Sequence, residues 1–344
     1  MPRWSALGEE GLLRRIRRHF PSPARDVLVP SGDDAALIRL TSRDDLVLST
    51  DQLVEGIHFL RSTHPPDLLG ARALTVNLSD LASMGAKPRW FLMSLFLPED
   101  LPAAYREGIL KGMAREARRR RLSLVGGNLS RSPVLTLDVC MAGTLPKGRR
   151  PILRGGGRPG DALYVTGSLG ASALGLELIR AGWRWQGRRR RGASAGETAA
   201  VIRLLRAHLA PSPDYSLAET LSRHRIASAA IDLSDGLSTD LWRLCRASRV
   251  GARVAAEALP LDPAAVRLVG AKRALELALN GGEDYQLLFA VPPTRESLLA
   301  RLAPRRSRRI GALVPPGQGV RVEIAGRLRL LPPRGFDHLR HPGR

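Results

Sequence analysis

Cysteine and aromatic residues are scarce in this chain of 344 residues. Only two cysteines occur, Cys140 and Cys245, and both lie inside apolar segments. Two cysteines exclude a disulfide framework, so we interpret them as buried free thiols, which predicts a reducing, cytoplasmic location. Aromatic residues make up 4% of the chain against 44% for all hydrophobic residues, so the core must consist mainly of leucine, valine, alanine and isoleucine.

Long hydrophobic runs are also missing. No stretch approaches the roughly 20 uninterrupted apolar residues that cross a membrane. The N-terminal segment MPRWSALGEEGLLRRIRRHF has early acidic residues and no apolar stretch ahead of a small-residue cleavage site, so we expect no signal peptide. The sequence therefore predicts no membrane partner.

The usual nucleotide-binding loops are absent as well. The sequence has no G-x-x-x-x-G-K-[ST] loop, no protein-kinase catalytic loop, no H-E-x-x-H motif and no cysteine–histidine cluster with zinc spacing. The Gly-rich run at 155–160 is not followed by a helical pattern, which disfavours a dinucleotide-binding fold. If this protein binds nucleoside phosphates, it must do so mainly through metal ions.

Lysine is rare although the chain is strongly basic. Arginine and lysine total 54 against 32 acidic residues, and only four of the 54 are lysine. Basic runs at 115–122, 187–192 and 305–309 indicate either a polyanion-binding surface or solvated helix faces and a loop. Because no aromatic residues interleave with these runs, we favour the second interpretation and expect no specific nucleic-acid partner. The Arg-rich stretch 183–197 is interpreted as a variable loop.

Beta and alpha patterns alternate along the first half, which predicts an α/β layer domain over 1–145. The expected strands are 45–50, 88–98, 122–128 and 134–145, and the expected helices are 9–20, 66–86 and 102–120. The strand at 122–128 is expected to run into a turn at Gly126 and Gly127. A stretch rich in glycine, proline and arginine at 145–161 predicts the domain boundary.

The second half, 146–344, is predicted to form another α/β domain. A strand that runs into a glycine turn is expected over 162–170, and 280–291 is predicted to be a turn followed by a strand. The other expected elements are strands at 228–233 and 252–259 and helices at 171–182, 197–209 and 238–248.

Four acidic motifs stand at the ends of predicted elements. They are SGDDAAL (31–37), LSTDQLVEGIHF (48–59), NLSDLASMGA (77–86) and AIDLSDGLSTDL (229–240). Carboxylates and hydroxyls around a shared space are what Mg²⁺ requires, with substrate phosphates completing its coordination. Asp80 lies mid-helix beside apolar neighbours, where an isolated carboxylate is costly unless it is paired or metal-bound. Asp235 follows Ser234 at a helix start, so it could equally be a helix cap.

These motifs resemble the thiamine-monophosphate kinases when taken in order with VGGN (125–128), RPGDALYVTGSLG (158–170) and NGGEDYQLLF (280–289). That family belongs to the superfamily of aminoimidazole ribonucleotide synthetase, selenophosphate synthetase and the hydrogenase maturation dehydratase. The resemblance implies a two-domain α/β fold of the aminoimidazole ribonucleotide synthetase type, with an N-terminal domain that dimerises through its sheet. It also implies Mg²⁺-dependent transfer of the ATP γ-phosphate to thiamine monophosphate by a homodimer.

The resemblance further implies a set of site residues. Several Mg²⁺ ions would be held by Asp34, Ser49, Thr50, Asp51, Asp80, Asn128, Asp232 and Asp235, of which Asp51, Asp80 and Asp235 are the expected catalytic residues. ATP would contact Gly126, Gly127, Asn128, Arg154 and Ser234. Thiamine monophosphate would contact His58, Glu283 and Phe336.

Several of these positions have a second interpretation. Asn128 stands where many relatives have aspartate, so its role as a metal ligand stays open. Arg120 stands where relatives often have an aromatic residue near the nucleotide, and its plane could stack on a base. His58 could instead be a turn histidine, and Glu283 a turn carboxylate beside a structural Asp284.

Other members of the superfamily fit the sequence less well. Selenophosphate synthetase would need a reactive cysteine in a Gly-rich N-terminal segment, and none precedes Cys140. The hydrogenase maturation protein would end in a cysteine-bearing tail, whereas this sequence ends HLRHPGR. The residues of the motifs at 48–59 and 280–289 disfavour aminoimidazole ribonucleotide synthetase. A nucleic-acid-binding module would leave the four acidic motifs unexplained.

Overall fold

The computed structural model describes residues 27–29, 33–39, 43–185 and 194–337, which form two β-sheets with helices packed against them. The helix predicted over 9–20 lies outside the described residues, as does part of the Arg-rich stretch 183–197. In the described part of the chain, no helix is both long and apolar enough to span a membrane.

The first sheet contains six strands in the order β1-β2-β3-β6-β4-β5. They are β1 (Val27–Val29), β2 (Ala36–Arg39), β3 (Asp44–Val54), β4 (Lys87–Leu97), β5 (Ser123–Arg131) and β6 (Thr136–Pro146). Strands β4 and β5 pair in parallel, and the other neighbours are antiparallel. Buried and half-buried residues alternate along most of β6, because one face of the sheet packs on helices.

Two helices cover that face, α1 (Pro66–Ser83) and α2 (Ala103–Arg120). They approach each other closely through two glycines. A Cβ atom on Gly70 would lie 2.0 Å from the Ile109 carbonyl oxygen, and one on Gly112 would lie 1.9 Å from the Asp67 carbonyl oxygen. Only glycine therefore permits this crossing of the two backbones.

The second sheet contains seven strands in the order β13-β12-β9-β11-β7-β10-β8. They are β7 (Ala162–Thr166), β8 (Ala229–Leu233), β9 (Gly251–Ala255), β10 (Gln286–Val291), β11 (Ser307–Val314), β12 (Val320–Ile324) and β13 (Arg327–Leu330). Strands β9 and β12 pair in parallel, and the other neighbours are antiparallel. The helices of this half are α3 (Ala171–Arg180), α4 (Ala195–Leu209), α5 (Tyr215–Arg223), α6 (Leu237–Ser248), α7 (Pro263–Asn280, interrupted at Gly270) and α8 (Pro293–Leu302).

Helix α1 connects the two halves of the molecule. It packs on β3 and β6 of the first sheet and also contacts β8 and α5 of the second half. Its polar residues are consequently buried as well as its apolar ones, with Asn77 fully enclosed and Ser79 only 3% exposed. The helix therefore places polar groups from its own sequence directly against the second sheet.

The predicted α/β architecture is confirmed, with three local corrections. The turn predicted at Gly126 and Gly127 is wrong, because β5 continues through both glycines and stays paired with β4. A Cβ atom on Gly127 would lie 2.0 Å from the Met93 carbonyl oxygen, so this glycine serves close strand pairing. The strand predicted over 252–259 ends at Ala255, and the helix predicted from 197 begins at Ala195.

Candidate active site

Three carboxylates from distant parts of the sequence meet around helix α1. Asp34 precedes β2, Asp80 lies in the last turn of α1, and Asp232 lies in β8. One oxygen from each carboxylate lies within 4.8 Å of the other two, and we call these three residues the acid cluster. Asp34 and Asp232 are buried. Oxygen atoms at this spacing form a suitable ligand set for a hard divalent cation.

Each carboxylate of the acid cluster accepts a hydrogen bond from a serine hydroxyl. The donors are Ser49 for Asp80 (2.6 Å), Ser79 for Asp232 (2.9 Å) and Ser83 for Asp34 (2.7 Å). Ser79 and Ser83 are four residues apart and therefore lie on the same side of α1. Strand β3 and helix α1 thus fix the orientation of all three carboxylates.

Burial and mutual repulsion oppose the charged form of the acid cluster. Burial, followed by the charges of Asp232 and Asp51, raises the pKa of Asp80 well above its ordinary value. Burial, followed by the charge of Asp34, raises the pKa of Asp232 to about 7. Arg154 supplies one compensating charge, since its Nε atom donates to Asp34 Oδ1 at 2.9 Å. A bound divalent cation would remove the remaining repulsion, so the donor set fits Mg²⁺.

The loop between β8 and α6 carries Asp235 and is held by Asp240. One carboxylate oxygen of Asp240 accepts hydrogen bonds from the backbone N–H groups of Asp235 and Gly236, each at 3.0 Å. The other oxygen binds Arg243 at 2.9 Å, and Arg243 also pairs with the Asp235 carboxylate. Burial, followed by the Asp235 charge, raises the pKa of Asp240. These contacts fix Asp235 close enough to Asp232 for its charge to raise the pKa of Asp232.

Two further segments lie against the same loop. The Glu283 N–H donates to the Ser234 carbonyl at 2.7 Å, and the Phe336 N–H donates to the Asp235 carbonyl at 3.1 Å. A Cβ atom on Gly335 would lie 2.0 Å from the Asp235 carbonyl oxygen, so the C-terminal segment makes close backbone contact here. The structure therefore brings Glu283, Phe336 and Asp235 together.

Known proteins share both the sequence and this architecture. The chain matches the family "AIR synthase related protein, N-terminal domain" over residues 32–145 and the corresponding C-terminal domain over 158–323. The thiamine-monophosphate kinase of Salmonella typhimurium is 40% identical over 294 residues, which cover 86% of both chains. The enzyme of Synechococcus elongatus is 36% identical over 340 residues, which cover 97% of both chains. The chain belongs to the thiamine-monophosphate kinases.

A solved structure of the same family supports the fold assignment. The structure of AaThiL complexed with AMPPCP and TMP aligns with a TM-score of 0.82 at 33% identity, covering 98% of this chain and 99% of that chain. The predicted fold class, two α/β domains of the aminoimidazole ribonucleotide synthetase type, is therefore confirmed.

Of the metal ligands predicted for a thiamine-monophosphate kinase, most lie together. Ser49 joins the acid cluster through its bond to Asp80. Asp51 follows two residues later on the same face of β3, since side chains alternate along a strand. Its charge contributes to the raised pKa of Asp80. Asp235 lies on the adjacent loop described above.

Thr50 and Asn128 lie on the opposite face of the first sheet. The Thr50 hydroxyl donates to the Val139 carbonyl at 3.1 Å and lies 3.3 Å from an oxygen of Asp138. Asn128 shares a cross-strand row with Asp138 through β4, so it faces the same side. The structure therefore does not bring these two side chains to the acid cluster. Gly126 and Gly127 lie beside Asn128 in the exposed edge strand β5.

His58 and Arg120 both have partners within the protein. The Nδ1 atom of His58 accepts a hydrogen bond from the Val54 N–H at 3.0 Å, which fixes the ring in the turn after β3. Arg120 donates to Glu116 at 2.9 Å, and its guanidinium lies 4.1 Å from the centroid of the Tyr215 ring. Arg120 therefore links α2 to α5 rather than presenting a free plane to a base.

Sequence reasoning missed several residues of the site. Ser79 and Ser83 are four residues apart in NLSDLAS, and that spacing could have placed both hydroxyls on one side of the predicted helix. Asp240 and Arg243 are three residues apart on a predicted helix, which is also a readable signal. Arg72 carries no such signal, because its partner Glu283 lies 211 positions away in the sequence.

Proposed function

We propose that this protein transfers the γ-phosphoryl group of ATP to thiamine monophosphate and produces thiamine diphosphate and ADP. Relatives that match most of its length are thiamine-monophosphate kinases, and AaThiL complexed with AMPPCP and TMP has the same fold. The acid cluster is the observation that carries the proposal. Two polyanions that react without a P-loop repel each other, and cations held by the buried acid cluster would neutralise them.

Asp34, Asp80 and Asp232 would hold Mg²⁺, with Asp51 and Asp235 as neighbouring ligands. When bound, Mg²⁺ neutralises the phosphates and polarises the transferred phosphoryl group. The serine hydroxyls and the Arg154 guanidinium keep the carboxylate oxygens directed toward the shared space. Several ions are proposed because the carboxylates extend from the cluster to the Asp235 loop.

The protein's own groups have a positioning role in this reaction. The acceptor is a phosphate that is anionic near neutral pH, so no general base is needed to create the nucleophile. Glu283, Phe336 and His58 are the proposed contacts of the thiamine portion. Arg154 and Ser234, beside the carboxylates, and Gly126, Gly127 and Asn128, on β5, are the proposed contacts of ATP.

We also propose a cytoplasmic homodimer formed through the first sheet. Every residue of the edge strand β5 is exposed, including Leu124 (53%), Val125 (58%) and Leu129 (70%). An open strand edge with exposed apolar side chains favours association with another chain. A second copy of this sheet would cover both the backbone edge and the leucines. Cys140 and Cys245 are free thiols, which suits a reducing compartment.

The reaction is tested by an acceptor series. ADP formation from ATP and Mg²⁺ is measured with thiamine monophosphate, thiamine, inorganic phosphate or no acceptor. Of the four mixtures, we expect only the one that contains thiamine monophosphate to form ADP at a substantial rate. Equal ADP formation in all four mixtures, or none in folded protein that binds ATP, contradicts the proposal.

A further inference from the structure

Helix α1 contains an arginine that is completely buried. The Arg72 side chain has 0% exposure, and its Nη2 atom hydrogen-bonds Glu283 Oε1 in the second half of the molecule. Burial by itself lowers the pKa of Arg72, but the Glu283 charge, together with the neighbouring Tyr285, holds it above its ordinary value. A buried charge of this kind is retained only when a specific partner balances it. Glu283 is therefore the carboxylate that balances the Arg72 charge, and Tyr285 is a second partner of the guanidinium.

The other carboxylate oxygen of Glu283 is also held. His208 Nδ1 lies 3.2 Å from Glu283 Oε2 and 3.2 Å from the Ser172 hydroxyl. Burial lowers the pKa of His208 well below its ordinary value, so the imidazole is neutral at physiological pH. A neutral ring beside a carboxylate is favourable when Nδ1 carries the N–H, and we assign the proton to Nδ1 on that ground.

The backbone of Glu283 is constrained as tightly as its side chain. Its φ of 66° lies in the left-handed region, which is unfavourable for a residue other than glycine. A Cβ atom on the preceding Gly282 would lie 2.6 Å from the Ser234 carbonyl oxygen, so this backbone cannot shift toward the loop. Such a conformation persists only where surrounding contacts determine it. The bond from the Glu283 N–H to the Ser234 carbonyl holds the backbone, and Arg72 and His208 contact the side chain.

We propose that Arg72 and His208 are positioning residues that hold the Glu283 carboxylate for the thiamine portion of the substrate. This inference rests on the proposed function, which assigns Glu283 to that portion. Arg72 precedes Asp80 by eight residues on one helix, a separation of about 12 Å along its axis. Helix α1 thus fixes the distance between the acid cluster, where the phosphates would bind through cations, and the Glu283 carboxylate, where the thiamine portion would bind.

The test compares substitutions of Arg72 in steady-state kinetics with both substrates varied. For Arg72→Met we expect the KM for thiamine monophosphate to rise about 30-fold, the scale of one charge-assisted hydrogen bond. The KM for ATP and the kcat at saturating acceptor should change less than about threefold, because the phosphate site is left intact. Arg72→Lys restores part of the affinity. Arg203→Met, at an exposed arginine that pairs with Asp262, is the matched control and should leave both KM values unchanged.

A double-mutant cycle with Glu283→Gln separates positioning from a purely structural role. If Arg72 acts through Glu283, Arg72→Met adds little to the KM in the Glu283→Gln background. Additive effects of the two substitutions on the KM for thiamine monophosphate overturn the inference. It is also overturned if both KM values rise and kcat falls together, in proportion to a fall in the melting temperature. His208→Asn, which retains a donor near Nδ1, and His208→Leu, which does not, provide the same comparison if Arg72→Met does not fold. Absence of any acceptor-dependent turnover in the unmodified protein refutes the proposed function instead, so the two failures are distinguishable.

Discussion

Two kinds of buried aspartate occur near the site, and their partners distinguish them. The acid cluster consists of carboxylates that face one another; each receives one serine hydroxyl, and Asp34 also pairs with Arg154. Asp284 instead accepts hydrogen bonds from the backbone N–H groups of Gly170 (2.6 Å) and Ser172 (3.1 Å) at the start of α3. Asp284 is therefore the structural member of the Glu283–Asp284 pair, as the sequence had suggested. The first kind repels its neighbours and fits a bound cation, whereas the second stabilises a helix terminus.

Replacing Asp80 by asparagine separates stability from activity. The amide still accepts the Ser49 hydrogen bond but removes one charge from the acid cluster. Because repulsion within the acid cluster falls, we expect the melting temperature of the metal-free protein to rise by about 2–4 °C. Because one proposed metal ligand is lost, we expect turnover to fall by about 100-fold or more. Differential scanning fluorimetry and the ADP assay measure the two effects. Asp100→Asn, at a highly exposed carboxylate, should change neither; a lower melting temperature for Asp80→Asn contradicts the electrostatic account.

Asp284→Asn should have an effect on stability that depends on pH. Burial raises the pKa of Asp284 to about 7, whereas the unfolded chain has the ordinary value of 3.8. Between these values the folded state binds more protons, so this group makes the unmodified protein less stable as pH rises from about 4 to about 7. At pH 4 the variant loses about 1–3 kcal/mol in the free energy of unfolding, because its amide NH₂ group faces one backbone N–H that the carboxyl group accepted. Asparagine does not titrate, so the variant lacks the dependence of stability on pH that Asp284 causes. Urea unfolding at pH 4 and 8 measures the two stabilities: the variant should be the less stable protein at pH 4, and its disadvantage should shrink and then reverse in sign by pH 8. A disadvantage that stays constant or grows with pH contradicts the account.

At the level of elements, sequence patterns predicted the helices that have a single apolar face and the strands that form a continuous apolar run. The helix expected at 66–86 corresponds to α1. It could be predicted because its leucines and alanines are spaced to face the first sheet. The same pattern does not reveal that its polar side is buried too, which is why Arg72 was not identified. Strand β5 was misread at Gly127, where the close approach to Met93 rather than a turn requires glycine. Local sequence does not record either of these tertiary contacts.

The remaining elements were missed for similar reasons. Helices α5, α7 and α8 and strands β1, β2 and β11 to β13 were not predicted, and α7 is interrupted at Gly270, whose φ is 78°. The resemblance to a family, however, identified Asp34, Asp80 and Asp232, which converge in space. It did not anticipate that Thr50 and Asn128 face the other side of the sheet. A motif identifies residue types, whereas the face of a strand depends on the register of the folded sheet.

The crossing of α1 and α2 predicts the outcome of a glycine substitution. In Gly112→Ala the new methyl group overlaps the Asp67 backbone, so the helices must separate, and we expect a loss of about 1–3 kcal/mol in the free energy of unfolding. Gly196→Ala is the control, since that glycine lies near the start of α4 with only ordinary contacts. It should be neutral or slightly stabilising. Urea unfolding of both variants measures the difference, and equal stabilities would exclude close packing at Gly112.

At the scale of the whole molecule, association through β5 can be tested directly. Light scattering after gel filtration should give twice the chain mass for the unmodified protein. Leu129→Glu introduces a charge into the exposed edge strand and should shift the mass toward a monomer. Leu302→Glu, on the exposed side of α8, should leave the dimer unchanged. A monomeric unmodified protein, or identical masses for all three proteins, contradicts an interface at β5.

The whole molecule also shows how a chain of net charge +22 contains an acidic site. The basic residues of α2 and the second half lie largely on the surface, while the acid cluster is enclosed between α1 and β8. The opposite charge distributions therefore serve different purposes. A basic surface attracts anions in general, and the interior presents carboxylate oxygens at a spacing that fits a cation.

Transfer of a labelled phosphoryl group tests the central claim most directly. The protein is incubated with [γ-³²P]ATP, Mg²⁺ and thiamine monophosphate, and the products are separated and counted. The account predicts that the label appears in the terminal phosphate of thiamine diphosphate, in a one-to-one ratio with ADP and only when Mg²⁺ is present. Label found in inorganic phosphate alone, with no thiamine diphosphate formed, would contradict it.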